Sequence, residues 1–304
     1  MGSLIRQPQK VILNANHSLY HMNQNIIGLD IGTGTVKVAT IHGTFSFPSI
    51  IAKGKSLELE SKEMTLVGED AVKAESIKSM VLKTPVYRGV PTSINDYLEL
   101  ITHGINKAMS MQKNPLQSTQ KYSECIIVAG IPYSAKQYIS KIKSAVMSTI
   151  NPKFFGLMYQ AKATLDNENM SAGIICHIGH GTTEIMVINH GSIAHAQTIP
   201  HGVGDITSVI SNSKTSYLKW EIFSKNTTQL EEQRGILAAH ISDALEKVIL
   251  DYPGIPVICA GGGALVPRLI GEIKNDIIGT IKVASNPVFS NALGMLKKAK
   301  TYAN

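Results

Sequence analysis

One stretch of this chain occurs twice, and the repeat constrains the fold more than any other feature. Residues 26–43 read IIGLDIGTGTVKVATIHG, and residues 173–191 read GIICHIGHGTTEIMVINHG. The copies align with Gly32 on Gly179 and Gly34 on Gly181. Each copy is an apolar run, a G-x-G-x turn and a second apolar run, which is typical of a β-hairpin of two short buried strands.

The two glycine turns also predict a phosphate site. Glycine permits positive φ and lets backbone amides approach a ligand closely, and successive amides in such a turn form an anion-binding nest. A simple hairpin turn is the alternative for each copy alone. No third glycine completes a dinucleotide fingerprint, and no G-K-[ST] completes a Walker loop. The duplication, with threonines beside the glycines, favours two turns that grip a polyphosphate from two sides.

Composition narrows the class of protein. A chain of 304 residues is long enough for two domains of about 150 residues each. No apolar run approaches the ~18 residues of a membrane span, and residues 6–25 lack the apolar core of a signal peptide. We therefore expect no transmembrane segment. Cys125, Cys176 and Cys259 lie in apolar runs without a C-x-x-C motif, which favours buried reduced thiols and a cytoplasmic location.

The formal net charge of +7 raises the question of a nucleic-acid or membrane partner. The lysines are spread along the chain, with the densest group at Lys297, Lys298 and Lys300. Without interleaved aromatic residues or a DNA-binding motif, we expect a solvated surface and no specific nucleic-acid binding. Weak attraction of the basic C-terminus to a membrane or another acidic partner stays open.

Strand and helix patterns alternate along the chain. A three-stranded meander opens each half, and helical spacing of apolar residues follows at 93–110, 135–150 and 236–250. A buried strand at 255–260 runs into a glycine triplet, with a helix expected from about Leu265. We expect a last strand at 283–287 and a closing helix at 289–300. The pattern predicts an α/β fold with two halves on one plan and a ligand cleft between them.

Two phosphate hairpins and a late glycine triplet together resemble the actin, sugar-kinase and heat-shock-chaperone ATPase superfamily. Within it, the chain is most similar to the prokaryotic actins, MreB and MamK, from about Ile26 to the C-terminal helix. The segments that carry this resemblance, besides the hairpins, are V-G-E-D-A (67–71), residues 82–90 with R-G-V, G-T-T-E (181–184), Y-L-K-W-E-I (217–222) and A-G-G-G-A-L-V-P (260–267).

The resemblance implies an actin-like ATPase fold: two RNase H-like α/β domains with ATP or ADP and Mg²⁺ in the cleft. It implies a flexible tail at 1–25, a first domain at 26–165 to which 287–304 returns, and a second domain at 166–286. Asp30 would face the metal ion, Lys37 the β- and γ-phosphates, and Gln160 would orient the attacking water. The remaining nucleotide contacts implied are Gly32, Thr33, Gly34, Thr35, Gly179, His180, Gly181, Thr182, Thr183, Gly204, Asp205, Lys219, Glu221, Gly261, Gly262, Gly263 and Ala264.

His177 departs from the family pattern, which has aspartate at this position, where it helps to hold hydrated magnesium. A neutral imidazole supplies no negative charge, and magnesium prefers oxygen. Either hydrolysis is slow, or Asp30 and the phosphates hold the metal alone. A third alternative makes His177 and His180 ligands of a softer metal. An imidazolium beside the γ-phosphate, which would make nucleotide affinity depend on pH, is a further hypothesis.

The fold alone does not determine the function. The resemblance favours an ATPase that assembles into cytoskeletal filaments by head-to-tail contacts and meets adaptor proteins. A non-hydrolysing ATP-binding regulator or scaffold is the second hypothesis, and His177 is its main support. A small-molecule kinase is the third.

Overall fold

The computed structural model describes residues 25–55, 63–111, 122–208 and 227–303. Nearly all of the expected tail, at 1–24, lies outside these ranges. The strands are β1 (Asn25–Ile31), β2 (Thr35–Thr40), β3 (Gly43–Pro48), β4 (Ile51–Lys55), β5 (Glu63–Val67), β6 (Met80–Lys83), β7 (Val86–Tyr87), β8 (Val90–Pro91), β9 (Cys125–Ile131), β10 (Phe154–Tyr159), β11 (Gly173–Ile178), β12 (Thr183–Asn189), β13 (Ser192–Ile199), β14 (Val257–Ala260) and β15 (Ile281–Val283).

The α-helices follow or separate these strands. They are α1 (Glu69–Lys73), α2 (Ile94–Ser110), α3 (Ile139–Thr149), α4 (Gln160–Asn167), α5 (Val203–Ser208), α6 (Thr228–Asp251), α7 (Leu269–Asp276) and α8 (Ser290–Lys300). No helix in the described part of the chain is long and apolar enough to cross a membrane.

Two five-stranded sheets share one plan. The first has the order β10-β9-β1-β2-β3 and the second β13-β12-β11-β14-β15. In each sheet, an antiparallel meander of three strands is extended by two parallel strands. In the first sheet, β9 and β10 follow beside β1; in the second, β14 and β15 follow beside β11. Both predicted hairpins are confirmed. A smaller sheet of β4, β5 and β6 and a ribbon of β7 and β8 complete the topology.

Helices cover both faces of the sheets, because their central strands are apolar on both sides. Helices α2 and α3 pack on the outer face of the first sheet, and α6 and α7 pack on the outer face of the second. Helices α8 and α4 lie between the sheets: α8 packs on β1 and β9, and α4 contacts α8, β11 and β12. The first turns of these two inner helices lie in space beside the ends of β1 and β11: Gln160 of α4 contacts Asp30, and Asn291 of α8 contacts Asp30 and His177.

Three predicted element boundaries were wrong. The helix expected from Leu265 is a short 3₁₀ turn, Gly262–Leu265, and α7 starts only at Leu269, because Val266 precedes a proline and is extended, with φ −64° and ψ 124°. The strand expected at 283–287 lies earlier in the chain: β15 ends at Val283. Pro287 has no N–H to pair with a neighbouring strand, and its carbonyl accepts a hydrogen bond from the Gly261 amide. The helix expected at 236–250 begins earlier, where the Thr227 hydroxyl caps it by accepting from the Leu230 amide at 3.3 Å.

Candidate functional site

The turns of the two duplicated hairpins meet face to face. Each closes with the same hydrogen bond: the Gly32 amide donates to the Thr35 carbonyl at 3.2 Å, and the Gly179 amide donates to the Thr182 carbonyl at 2.9 Å. A Cβ on Gly34 would lie 2.7 Å from the His180 ring, and a Cβ on Gly181 would lie 2.9 Å from the Thr33 hydroxyl. Only glycine therefore fits where the turns touch.

The glycines of the two turns are not needed for positive φ. The positive-φ glycines among the described residues do not include Gly32, Gly34, Gly179 or Gly181. Glycine is required there by space, since a Cβ on Gly32 or on Gly179 would lie 2.9 Å from the carbonyl oxygen that closes its turn. Gly261 of the triplet does have positive φ, at 83°.

Asp30 is the buried centre of the cleft. This residue lies near the end of β1 and is 1% exposed. Three side chains contact its carboxylate. Lys37 Nζ lies 3.4 Å from Oδ2, and the Gln160 amide donates to Oδ1 at 2.7 Å. The third donor is the Asn291 amide, 3.4 Å from Oδ2. Asp30, Lys37 and Gln160, which sequence analysis selected, are therefore brought together.

Asn291, in the first turn of α8, is a site residue that sequence analysis missed. Its amide nitrogen lies 2.9 Å from His177 Nε2, and its oxygen accepts from the Thr164 hydroxyl at 2.6 Å. An amide nitrogen can only donate, so His177 accepts at Nε2. Asn291 thus links Asp30 of the first sheet to His177 of the second. A lone asparagine in a C-terminal helix gave no signal of this role.

Both histidines of the second turn are neutral at physiological pH. Burial lowers the pKa of His177 to about 4; nearby Asp30 opposes this shift and Lys37 reinforces it. Burial also lowers the pKa of His180 to about 4, with a further lowering from Lys37 and an opposing effect of Asp205. An imidazolium at neutral pH therefore has no support here. No group of three His, Cys, Asp or Glu residues in the described part of the chain could hold a metal, which removes support for a soft-metal site.

Glu184 is a second residue that sequence analysis did not select. It follows the second turn on β12, directly opposite His177 in the strand register, and it is 2% exposed. Oε1 accepts from the Tyr133 amide, while Oε2 is buried with no hydrogen-bond partner among the described residues. Burial raises the pKa of Glu184 to about 7, and the Tyr133 amide opposes the shift. The G-T-T-E motif contained the residue, but only the register showed that its side chain faces the cleft.

Arg88 joins the two halves at the edge of the cleft. It lies in the β7–β8 turn, and its guanidinium lies 3.3 Å from Asp205 Oδ1 and 3.5 Å from the Gly181 carbonyl. The next residue, Gly89, donates its amide to the Thr33 hydroxyl at 3.0 Å. Asp205 also accepts from the Gly202 amide at 2.9 Å. The turn of one half therefore bridges both hairpin turns.

Most of the predicted contacts line one small cavity between the turns. They are Asp30, Gly32, Thr33, Gly34, Lys37, Gln160, His177, Gly179, His180, Gly181 and Thr182, and Glu184 lines it with them. Its volume of about 30 Å³ is that of one or two water sites. A polyphosphate is larger than this volume, so the two turns would have to move apart to bind one.

Several of the other predicted contacts lie beside the residues that line this cavity. Thr35 and Thr183 begin the second strand of each hairpin, and Thr183 donates its hydroxyl to the His201 carbonyl at 3.0 Å. Gly204 packs on His180, and a Cβ on Gly261 would lie 3.0 Å from His177 Nε2. Gly262, Gly263 and Ala264 follow in the 3₁₀ turn. Lys219 and Glu221 lie outside the described residues.

The donor set fits a polyphosphate better than it fits a magnesium ion. Two glycine turns, the threonine hydroxyls and Lys37 offer hydrogen-bond donors to phosphate oxygens. Asp30 offers one carboxylate to a hard cation, and the neutral His177 offers no oxygen ligand. Phosphate oxygens and water would therefore have to complete the coordination shell of a magnesium ion.

Known proteins match this chain in fold and not in sequence. No protein-family model matches it, and no curated protein matches it. A crystal structure of MreB 5 of Spiroplasma citri bound to AMPPNP has a TM-score of 0.68 and 18% sequence identity, covering 92% of this chain and 97% of that one. The ADP-bound structure of the same protein has a TM-score of 0.67 at 18% identity, covering 93% and 98%. A double helical filament of MamK has a TM-score of 0.70 at 16% identity, covering 90% and 98%. The chain therefore has the actin-like ATPase fold of the prokaryotic proteins MreB5 and MamK.

Proposed function

We propose that this chain binds ATP between its two hairpin turns and assembles into cytoskeletal filaments in the cytoplasm. The single observation that carries the proposal is the meeting of the duplicated turns over the Asp30–Lys37 pair. Similar structures were determined with AMPPNP or ADP bound, and MamK forms a double helical filament. The domain division at 26–165 with 287–304, and 166–286, is part of this proposal, since α8 packs on the first sheet.

The side chains have distinct roles in this mechanism. Lys37 neutralises phosphate charge, and the turn amides and threonine hydroxyls orient the phosphate oxygens. Asp30 is the carboxylate that would hold a magnesium ion, which would supply further neutralisation of phosphate charge. Gln160 and Asn291 keep Asp30 oriented through their amides. Opening of the cleft to admit ATP and its reclosure would then change the surface available to the next subunit in a filament.

A non-hydrolysing ATP-binding regulator is the second candidate, and the state of His177 favours it. A buried, neutral imidazole stands where a carboxylate would help to hold hydrated magnesium. Slow hydrolysis is therefore expected even if ATP binds tightly.

Phosphate release from ATP with magnesium, measured at rising protein concentration, tests the proposal alongside light scattering and direct nucleotide binding. We expect binding, nucleotide-dependent scattering, and a rate per molecule that climbs above a critical concentration. Binding without scattering or phosphate release would favour the regulator. Absence of nucleotide binding would overturn both candidates, and release that needs an added acceptor would indicate a kinase.

A further inference from the structure

The cleft contains two buried carboxylates, Asp30 and Glu184, which differ in the number of partners around them. Asp30 has Lys37 beside it and accepts hydrogen bonds from two amides. Glu184 lines the same cavity, but within the described residues the only hydrogen bond of its side chain is from the Tyr133 amide to Oε1. A buried carboxylate oxygen without a partner is costly, so such an oxygen calls for a water or another ligand.

The cavity can supply that partner. Its volume of about 30 Å³ accommodates a water molecule, and its walls include Glu184, Gln160 and His177 as well as both turns. A water bound at Glu184 Oε2 would therefore lie in the space that the phosphate turns enclose. Gln160 is less free to hold this water, since its amide nitrogen is committed to Asp30 at 2.7 Å.

We propose that Glu184 is the general base of ATP hydrolysis in this chain, with its unpartnered Oε2 holding the attacking water. The inference rests on the proposed function, since it requires ATP between the turns. The water oxygen bonds to the terminal phosphorus, and one water proton passes to Oε2. The bond between that phosphorus and the bridging oxygen breaks, with its electron pair staying on ADP. Glu184 then returns the proton to the product phosphate or to solvent.

The ionisation of Glu184 suits this role. Burial raises its pKa to about 7, so part of the population carries the charge at neutral pH, and a base with a pKa near the working pH is the most effective. The folded pKa lies above that of the unfolded chain, at 4.5. Its contribution to stability is therefore full below pH 4.5 and is lost as pH rises through 7.

Glu184→Gln tests the inference through three measurements on the full chain. Nucleotide affinity should change less than about threefold, and phosphate release should fall by about 100-fold or more. The rate of the native chain should rise with pH on a limb with an apparent pKa near 7, and this limb should be absent in the variant. The Tm of the variant should exceed that of the native chain by more at pH 8.5 than at pH 5.5, because the neutral amide does not ionise in the cleft.

Glu272→Gln is the matched control. Glu272 also has a buried Oε2 without a partner among the described residues, but it lies on α7 and its Oε1 pairs with Arg234 at 2.7 Å. This control should keep the rate and its pH limb. Gln160→Ala should also keep the limb, even if the rate falls.

The outcomes separate the inference from the proposed function. If the native chain binds no nucleotide, both are overturned. If it binds nucleotide and Glu184→Gln releases phosphate at the native rate with the same pH limb, the general base is overturned while nucleotide binding stands. If the native chain binds nucleotide but releases no phosphate, the general base is again overturned and the regulator is favoured.

Discussion

The Asn291 amide nitrogen lies 2.9 Å from His177 Nε2 and 3.4 Å from a carboxylate oxygen of Asp30. One amide thus donates to a carboxylate of the first sheet and to an imidazole of the second. Nε2 is the far nitrogen of the imidazole, so the shorter aspartate at position 177 would not reach the Asn291 amide and would lose this hydrogen bond. The change would also have an electrostatic cost, since a second carboxylate would lie close to Asp30.

We therefore expect His177→Asp to be a magnesium-dependent variant. Without magnesium, repulsion between the carboxylates should lower the free energy of unfolding by about 2 kcal/mol. Magnesium should restore stability, and phosphate release with ATP should rise above that of the native chain. Thermal unfolding with and without magnesium checks the first effect. The neutral His177→Asn is the control, and equal Tm shifts by magnesium in the two variants would contradict the prediction.

Burial of the neutral His177 should make the free energy of unfolding fall at acidic pH. The pKa of His177 falls from 6.5 in the unfolded chain to about 4 in the folded chain, so the unfolded chain binds more protons between these values. Stability from the neutral imidazole is complete above pH 6.5 and is lost as pH falls through 4. The loss from His177 amounts to about 3 kcal/mol when protonation is complete.

Urea unfolding at pH 7 and pH 4 measures this loss directly. His177→Asn should lose less stability between the two pH values than the native chain does. His42→Asn, at an exposed position in a hairpin turn, is the control and should behave as the native chain. An unchanged pH dependence in His177→Asn would contradict the burial argument.

Short-range patterns predicted the two hairpins, while the roles of Asp30, Lys37 and Gln160 came from the family resemblance. The alternation of apolar runs with G-x-G turns predicted both hairpins, and Asp30 and Lys37 lie opposite each other in one of them. Chain pairing in a hairpin is fixed by the turn, so two residues of one motif could be placed together without knowing the rest of the fold.

The residues that were missed depend on long-range packing. Asn291 contacts Asp30 across 261 residues of sequence, because α8 packs back on the first sheet. Glu184 faces the cleft because of the register of β11 and β12 and the position of Tyr133. The Arg88–Asp205 pair requires the two halves to be placed against each other. None of these placements leaves a periodic signal in the sequence.

The packing of α8 depends on a glycine. A Cβ on Gly294 would lie 1.8 Å from the Ala163 carbonyl oxygen of α4, a backbone atom that cannot turn aside. Gly294→Ala should therefore destabilise the fold by about 3 kcal/mol or more through overpacking, and displace Asn291 from Asp30. Gly235→Ala is the matched control in α6, where nothing lies within 4 Å of the new Cβ. It should stabilise by about 0.5–1 kcal/mol, because alanine favours the helix. Chemical denaturation measures the free energy of unfolding of both variants. Equal changes in the two variants would contradict the close packing of α8 on α4.

The bridge from Arg88 to Asp205 should control opening of the cleft more than it controls stability. Both side chains are about one-third exposed, and ion pairs of this kind contribute about 1 kcal/mol or less. Arg88 has φ 45° and Gly89 φ 77°, so the β7–β8 turn requires positive φ at both central positions, where asparagine is favoured over arginine. Arg88→Asn therefore keeps the turn and removes the bridge.

We expect Arg88→Asn to change the free energy of unfolding by less than about 1 kcal/mol. Release of a fluorescent ATP analogue, followed by stopped flow, should be several-fold faster, because the guanidinium no longer ties the β7–β8 turn to Gly181 and Asp205. Arg268→Asn is the matched control: Arg268 also has positive φ, at 68°, and it pairs with Glu231 at 3.1 Å on α6. Its release rate should equal that of the native chain. Equal rates in all three proteins would mean that the bridge does not limit opening, and that the contact of His180 with Gly34 holds the turns together instead.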